Sequence, residues 1–356
     1  MPIKILFVDD ERNILNGIKR TFRLNKIEWE IFFAEDVNEA LKIMAIEKAD
    51  IVVSDLLMPK RDGLSLLKEV RNLYPSTIRI IMSGYSNEER SILSTQIAHH
   101  FFNKPYDSLE VINKIKIILK YREVLVNRSL SNLICSINAL PSLPDIYLKL
   151  NHELRKEEPS IKKLEEIIAQ DISFTSKLLQ IVNSSFFGLP NKILRLSDAI
   201  QMLGLNTIKS LVLHHHLESI KPAYIASDYL RKILDHSLKV AQFARNLCLS
   251  KPEYKPFADE AFIAGLLHDS GKLILFSIPE FKKIIEDMDS EIDVEFEMKT
   301  FGVNHTHVGA YLFSLWGLPQ EIVDFVANHH AENKDDYSTD VLFNIVWNAN
   351  YLARVS

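Results

Sequence analysis

The sequence predicts a doubly wound α/β domain with a five-stranded parallel sheet, followed by an all-α domain. Three observations predict this. Five short runs rich in β-branched and apolar residues alternate with amphipathic stretches through roughly the first 120 residues. Four of the five end in a polar residue: Asp9-Asp10, Asp55, Ser83 and Lys104-Pro105. Beyond Lys104-Pro105 no strand pattern returns.

In order, the strands read Ile3–Val8, Trp29–Ala34, Ile51–Ser54, Ile78–Met82 and His100–Phe102. Helices are expected near Asn13–Leu24, Val37–Ile46, Leu64–Leu73, Glu88–Ile97 and Ser108–Tyr121. Ile78-Arg79-Ile80-Ile81-Met82 is almost continuously apolar, as a strand covered on both faces should be. From Asp107 to Asn138 the chain is helical in character, with Ile112, Ile115, Leu119, Val126 and Leu133 spaced near a heptad, and Arg122 and Ser129 interrupting. That stretch is a helical connector; its seam is also the natural place for a homodimer contact.

Further on, Ser160 caps a helix Ile161–Gln170, and a second helix runs Phe174–Asn183. Ser197 opens a third that stops at Gly204, and Asn206 opens a fourth through Leu217. The expected domains are 1–121, a connector 122–138, and 139–356 in two lobes, about 139–222 and 223–356.

At 356 residues the chain exceeds one small core. With 47% hydrophobic and 25% charged residues and a net charge of −5, it reads as soluble and globular, and no nucleic acid is expected as partner. Cys135 and Cys248 sit in apolar helical stretches and suit a reducing compartment. Met1-Pro2-Ile3-Lys4 runs into a strand rather than a signal peptide. No apolar run reaches the ~18 residues of a span, so a cytoplasmic protein without membrane insertion is expected.

Ligands of open parallel sheets bind beyond the carboxyl ends of the strands. One pocket therefore gathers three carboxylates, a hydroxyl and an ammonium. Three carboxylates repel one another unless a divalent cation joins them. Asp55 is the expected nucleophile toward a phosphoryl donor. Asp9, Asp10 and Asp55 would hold Mg²⁺ together with the backbone carbonyl of Leu57, and Lys104 would neutralise phosphoryl oxygens. Pro105 points to a cis bond that aims the lysine. Once Asp55 carries new acceptor oxygens, the Ser83 hydroxyl can turn inward and Phe101 can rotate into the vacated space.

Phe7-Val8-Asp9-Asp10-Glu11, Asp55-Leu56-Leu57-Met58-Pro59 with Asp62-Gly63, Met82-Ser83-Gly84 and Phe101-Phe102-Asn103-Lys104-Pro105 resemble the receiver domain of response regulators in order and spacing. The resemblance covers residues 1–120. It implies magnesium-dependent phosphorylation at Asp55 by a sensor histidine kinase.

The C-terminal half concentrates its polar interest in His236, His268-Asp269, His305, His307 and His329-His330. Imidazoles with a carboxylate suit a transition metal such as Fe, Mn or Zn. Asn304–Trp316 and Pro319–His330 read as helices joined at Gly317. His305 stands eleven residues before Trp316 and His330 eleven after Pro319, so antiparallel pairing brings His305 level with His329 and His330. His268-Asp269 closes an apolar helix, Phe262–Leu267, with Gly271 as its expected stop. His236, in Tyr229–Cys248, is expected to be buried. His214-His215-His216 is read as a helix end, where imidazole meets the last carbonyls.

Leu140–Pro144, Ile168-Ala169-Gln170-Asp171, Leu178–Phe187, Ala199–Leu205, Ala264–Lys272 and His305–Pro319 resemble the HDOD output domain, a relative of the HD metal phosphohydrolases. The ligand order of those enzymes is His, His-Asp, then Asp. Carried over, it falls on His236, His268-Asp269 and Asn350, so the last carboxylate is a neutral amide. After His330 the chain has Ala331-Glu332-Asn333-Lys334 in place of the Gly-Tyr-Pro of cyclic-dinucleotide phosphodiesterases. The resemblance thus implies a switch whose output binds a signalling protein or small ligand without catalysis. The competing expectation is a receiver-gated metal-dependent phosphohydrolase.

Overall fold

The computed structural model describes residues 2–25, 27–83, 97–126, 144–154, 156, 158–183, 192–219, 227–278, 293–331 and 340–355; Ser83, Asn103, Val126, Ser227 and Asp228 are described by backbone alone. The helix expected near Glu88–Ile97 lies outside these residues apart from Ile97 itself. Residues up to Leu143 fall in one compact unit, and most of those from Pro144 in a second.

The first unit is a parallel sheet in the order β2-β1-β3-β4-β5. Its strands are β1 (Lys4–Val8), β2 (Glu30–Ala34), β3 (Ile51–Asp55), β4 (Ile78–Ser83) and β5 (His100–Asn103). Ile5 to Val8 and all of β3 are buried, because helices cover both faces of the sheet and leave no solvent side for a polar alternation. Of these helices, α1 (Arg12–Leu24) buries Leu15, Ile18 and Phe22, one stripe at helical spacing. Asp36 opens α2 (Val37–Glu47) by accepting the Glu39 N–H at 2.9 Å. Asp62 opens α3 (Gly63–Leu73) in the same way with Ser65.

Helix α4 (Ser108–Val126) runs unbroken past Tyr121, where a connector was expected to begin. Arg122 reaches the Asp50 carboxylate at 3.0 Å and Leu125 is buried. Ile112 and Ile115, the first members of the heptad spacing, are buried together with Ile118. Ile112 and Ile115 thus serve the unit's own interior; Leu119 is half-buried, Val126 is described by backbone alone and Leu133 lies outside the described residues.

The second unit is helical. Helices α5 (Asp145–Leu154), α6 (Ile161–Ala169), α7 (Ile172–Val182), α8 (Leu196–Leu203) and α9 (Leu205–Ser219) enclose a core that includes Leu164, Ile168, Phe174, Leu178, Ile200 and Leu211. Gly204, at φ +76°, separates α8 from α9. Then follow α10 (Ser227–Ser250), a 3₁₀ turn (Pro252–Phe257), α11 (Ala258–Leu267), α12 (Gly271–Phe276), α13 (Val294–Phe301), α14 (His305–Leu315), α15 (Gln320–Asn328) and α16 (Val341–Val355).

Two corrections to the sequence reading concern this half. Gly271 does not stop α11; it opens α12, and a Cβ there would overlap the carbonyl oxygen of His305. A close approach, rather than a helix end, requires the glycine. His214 does not stand at the helix end either, although His216 falls in the last turn. Helix α9 continues to Ser219, and His214 is buried with its Nδ1 3.3 Å from Ser270 Oγ.

Candidate functional site

Parallel register places the carboxyl ends of β1 and β3 side by side, since Val8 pairs with Ser54, with β4 and then β5 next along the same edge. Asp9 and Asp55 are buried there, and Asp10 is exposed. Ligand oxygens of all three carboxylates lie within 4.8 Å of one another. The Lys104 ammonium stands 3.0 Å from Asp9 Oδ2 and 3.0 Å from Asp55 Oδ1. The Lys104-Pro105 bond is cis. Gly63 lets the loop after β3 close tightly, because a Cβ there would overlap the Asp55 carbonyl oxygen. Leu57, just past Asp55, is partly exposed, and Phe101 packs at the edge of the core around β1 and β3. The Ser83 side chain lies outside what is described.

Burial pushes the Asp55 carboxyl up, Lys104 pulls it back, and neighbouring Asp9 adds to the rise. For Lys104 burial lowers the pKa, but hydrogen bonds to Asp9 and Asp55 outweigh it and the net shift is upward. A carboxylate pocket held together by one ammonium fits Mg²⁺, which takes few carboxylates and completes its shell with other oxygens.

The second constellation is built by backbones brought into contact. A Cβ on Gly265 would lie 2.7 Å from Ala241 Cα, so α11 presses against α10. A Cβ on Gly309 would lie 3.3 Å from Gly271 Cα, which lets α14 settle against α12. These contacts gather His236 from α10, His268-Asp269 from the end of α11, His305 from the start of α14, and His329-His330 from the end of α15. His236 proves half-buried, because it faces the pocket from one edge. His307 belongs to neither ligand group; its N–H donates to Asn304 at 3.1 Å.

Each of three imidazoles is oriented through Nδ1. His268 Nδ1 donates to the Gly265 carbonyl at 2.7 Å, and His329 Nδ1 to the Val326 carbonyl at 2.9 Å. His305 Nδ1 donates to Glu297 at 2.7 Å. Carbonyls and carboxylates only accept, so in the neutral rings each Nε2 keeps its lone pair. The Nε2 atoms of His305 and His329 are 3.3 Å apart, and Asp269 Oδ1 is 3.2 and 3.5 Å from them. A tetrahedral ion with ligands at ~2.0–2.1 Å has ligand–ligand edges of about 3.3–3.4 Å. His268 Nε2 and His330 Nε2 are buried without a hydrogen-bond partner, and His330 belongs to the same ligand group. Three donors at tetrahedral edge distances fit a transition-metal ion once the proton that His305 Nε2 shares with Asp269 leaves.

Burial would raise the Asp269 carboxyl, but Lys272, 2.8 Å from Oδ2, and the imidazoles hold it well below the usual range. Burial lowers His268, His329, His330 and His236. His305 alone rises, because its hydrogen bonds to Asp269 and Glu297 outweigh its burial. Asn350 stands beside His236, with Oδ1 3.1 Å from Nε2.

Sequence reasoning missed Glu297. It is fully buried on α13, four residues before buried Phe301, and a carboxylate on a helix's buried stripe is a readable signal.

An acid pocket at the end of a parallel sheet, in a chain that continues into a helical domain with a His-Asp cluster, is the build of a response regulator with an attached output domain. Residues 140–332 match the family model of the HDOD domain, and residues 5–116 match that of the response regulator receiver domain. The chain belongs to the HDOD family and carries a receiver domain ahead of its HDOD domain.

Among similar solved structures is the signal receiver domain of an HD domain-containing protein from Pseudomonas fluorescens Pf-5. It is 27% identical, with 35% of this chain and 98% of that chain covered and a TM-score of 0.32. An HDOD domain protein of unknown function from Geobacter sulfurreducens is 23% identical, with 61% and 73% covered and a TM-score of 0.48. An uncharacterized protein of Treponema pallidum (strain Nichols) is 24% identical over 198 residues, 54% of this chain. The chain spans 38% of that curated relative's length. Among the described residues no helix is long and apolar enough to cross a membrane.

Proposed function

We propose that this chain is a two-component response regulator in which a histidine kinase phosphorylates Asp55. The carrying observation is the shared ion pair: one Lys104 ammonium 3.0 Å from both Asp9 and Asp55, with Asp10 alongside. An Asp55 oxygen attacks phosphorus, and the bond from phosphorus to the donor's nitrogen breaks as the acyl phosphate forms. Mg²⁺ held by Asp9, Asp10, Asp55 and the Leu57 carbonyl would offset the charge of the phosphoryl oxygens. Lys104 exchanges part of its ion pair for the new oxygens, and Ser83 and Phe101 carry the change to the surface. The HDOD domain is the output and acts by binding a signalling protein or small ligand. Acetyl phosphate with Mg²⁺ should add one phosphoryl group, detected by intact mass, and Asp55→Asn should abolish it. Modification of Asp55→Asn would move the nucleophile elsewhere.

A second reading, a receiver-gated metal-dependent phosphohydrolase, is favoured by the converging Asp269, His305 and His329. Such a pocket would supply a Lewis acid for a phosphate ester. Asn350, in place of a carboxylate, weighs against it. Zinc, manganese or iron bound stoichiometrically and lost in His268→Ala/Asp269→Ala would support a metal pocket; metal-free, folded protein would support pure binding.

A further inference from the structure

We infer that the HDOD pocket holds one transition-metal ion, ligated by Asp269, His305 and His329, and that Asn350 and Lys272 together close the neighbouring position. The inference rests on the metal reading above and narrows it to one ion.

Two candidate ligand groups share Asp269: one with His305, His329 and His330, the other with His236 and His268. They are not equivalent. In the first, His305 and His329 are buried, their Nδ1 atoms are occupied by Glu297 and a backbone carbonyl, and their Nε2 atoms face Asp269 Oδ1. An ion there replaces only the proton that His305 Nε2 shares with Asp269 and His329.

In the second group two of the three donors are engaged, and His268 Nε2 alone has no hydrogen-bond partner. His236 Nε2 is 3.1 Å from Asn350 Oδ1. An amide oxygen only accepts, so that nitrogen carries its hydrogen; if the amide is turned over, its NH₂ takes the lone pair instead. In either orientation an ion can reach Nε2 only by displacing its hydrogen bond to Asn350. The remaining carboxylate oxygen, Asp269 Oδ2, which would have to bridge to a second ion, is held by the Lys272 ammonium at 2.8 Å. Charge points the same way. Asp269 and Glu297 are the two carboxylates on this set of imidazoles, and one dication with Lys272 already exceeds them. A second dication would need an added anion, and Asn350 supplies none.

The test uses the full chain, stripped with chelator and dialysed against Zn²⁺ with excess Mg²⁺ to fill the receiver's acid pocket, with bound zinc measured by elemental analysis. Wild type should hold one equivalent. His305→Ala and His329→Ala should each lose it, His236→Ala should keep it at unchanged affinity, and Asn350→Asp/Lys272→Ala should rise to two. Zinc-free wild type would remove the metal reading itself. Two equivalents in wild type, or loss of zinc in His236→Ala, would overturn the one-ion assignment while leaving the metal reading intact. Asn350→Asp/Lys272→Ala remaining at one equivalent would overturn the closing role of the pair. The His236→Ala arm decides independently of whether Asn350→Asp/Lys272→Ala folds.

Discussion

One oxygen of Glu297 accepts both the backbone N–H of His305, at 2.8 Å, and its Nδ1–H, at 2.7 Å. The carboxylate thereby sets where the first residue of α14 sits and which of its ring nitrogens faces Asp269. A buried carboxylate behind a ligating imidazole fixes the tautomer and raises the basicity of the outward nitrogen. Glu297→Gln keeps the shape but removes the charge. It should weaken zinc binding about 10- to 100-fold in competition with a chelator, with the helical circular dichroism unchanged. Equal affinity would assign Glu297 to folding alone.

Gly271 is held to glycine by the His305 carbonyl oxygen, which occupies the place of a Cβ. Backbone cannot swing aside as a side-chain tip can, so α12 and α14 must separate in Gly271→Ala. The expected cost is about 3 kcal/mol. Hydrogen exchange should rise in peptides covering 305–315, and unchanged protection there would show that the helices tolerate the methyl group.

How much of this was legible depended on whether chemistry and periodicity coincide. In the receiver they do: a short apolar run ends where an acid or lysine begins, so Asp9, Asp55 and Lys104 could be placed from the strands alone. The meeting of His305 with His329 followed from equal distances to the turn at Gly317, because antiparallel helices convert spacing into level. What the sequence did not disclose depends on contacts between distant helices. Gly271 looks like any helix stop until His305 is seen against it. His214 is the first of three consecutive histidines after Leu211-Val212-Leu213, and nothing local distinguishes a buried imidazole from a terminal one. Asn350 could be aligned with a ligand position, but its hydrogen bond to His236 needed α16 and α10 side by side.

Cys248 is fully buried at the end of α10, and burial pushes its thiol up to about 11, with Glu260 adding to the shift. At pH 8 only about one molecule in a thousand would carry the thiolate. Iodoacetamide should therefore leave Cys248 unmodified in the native protein and label it fully in denaturant, as read by peptide mapping. Rapid native labelling would show that the end of α10 opens.

His214 links pH to the stability of the helical unit. Burial lowers its pKa from 6.5 to about 4; Lys177 and His215 lower it further, and Glu218, 4.0 Å away, offsets only part of this. The unfolded chain therefore binds a proton at a pH where the folded one does not. Stability from this group is fully present above pH 6.5 and is lost as pH falls from 6.5 toward 4, where the loss levels off. A shift of this size corresponds to about 3 kcal/mol. His214→Gln keeps a polar group near Ser270 without the titration. In urea unfolding followed by circular dichroism, wild type should lose stability between pH 6.5 and 4 more steeply than the variant. Parallel curves would mean that His214 finds room to protonate within the folded protein, and that the Ser270 contact yields before the fold does.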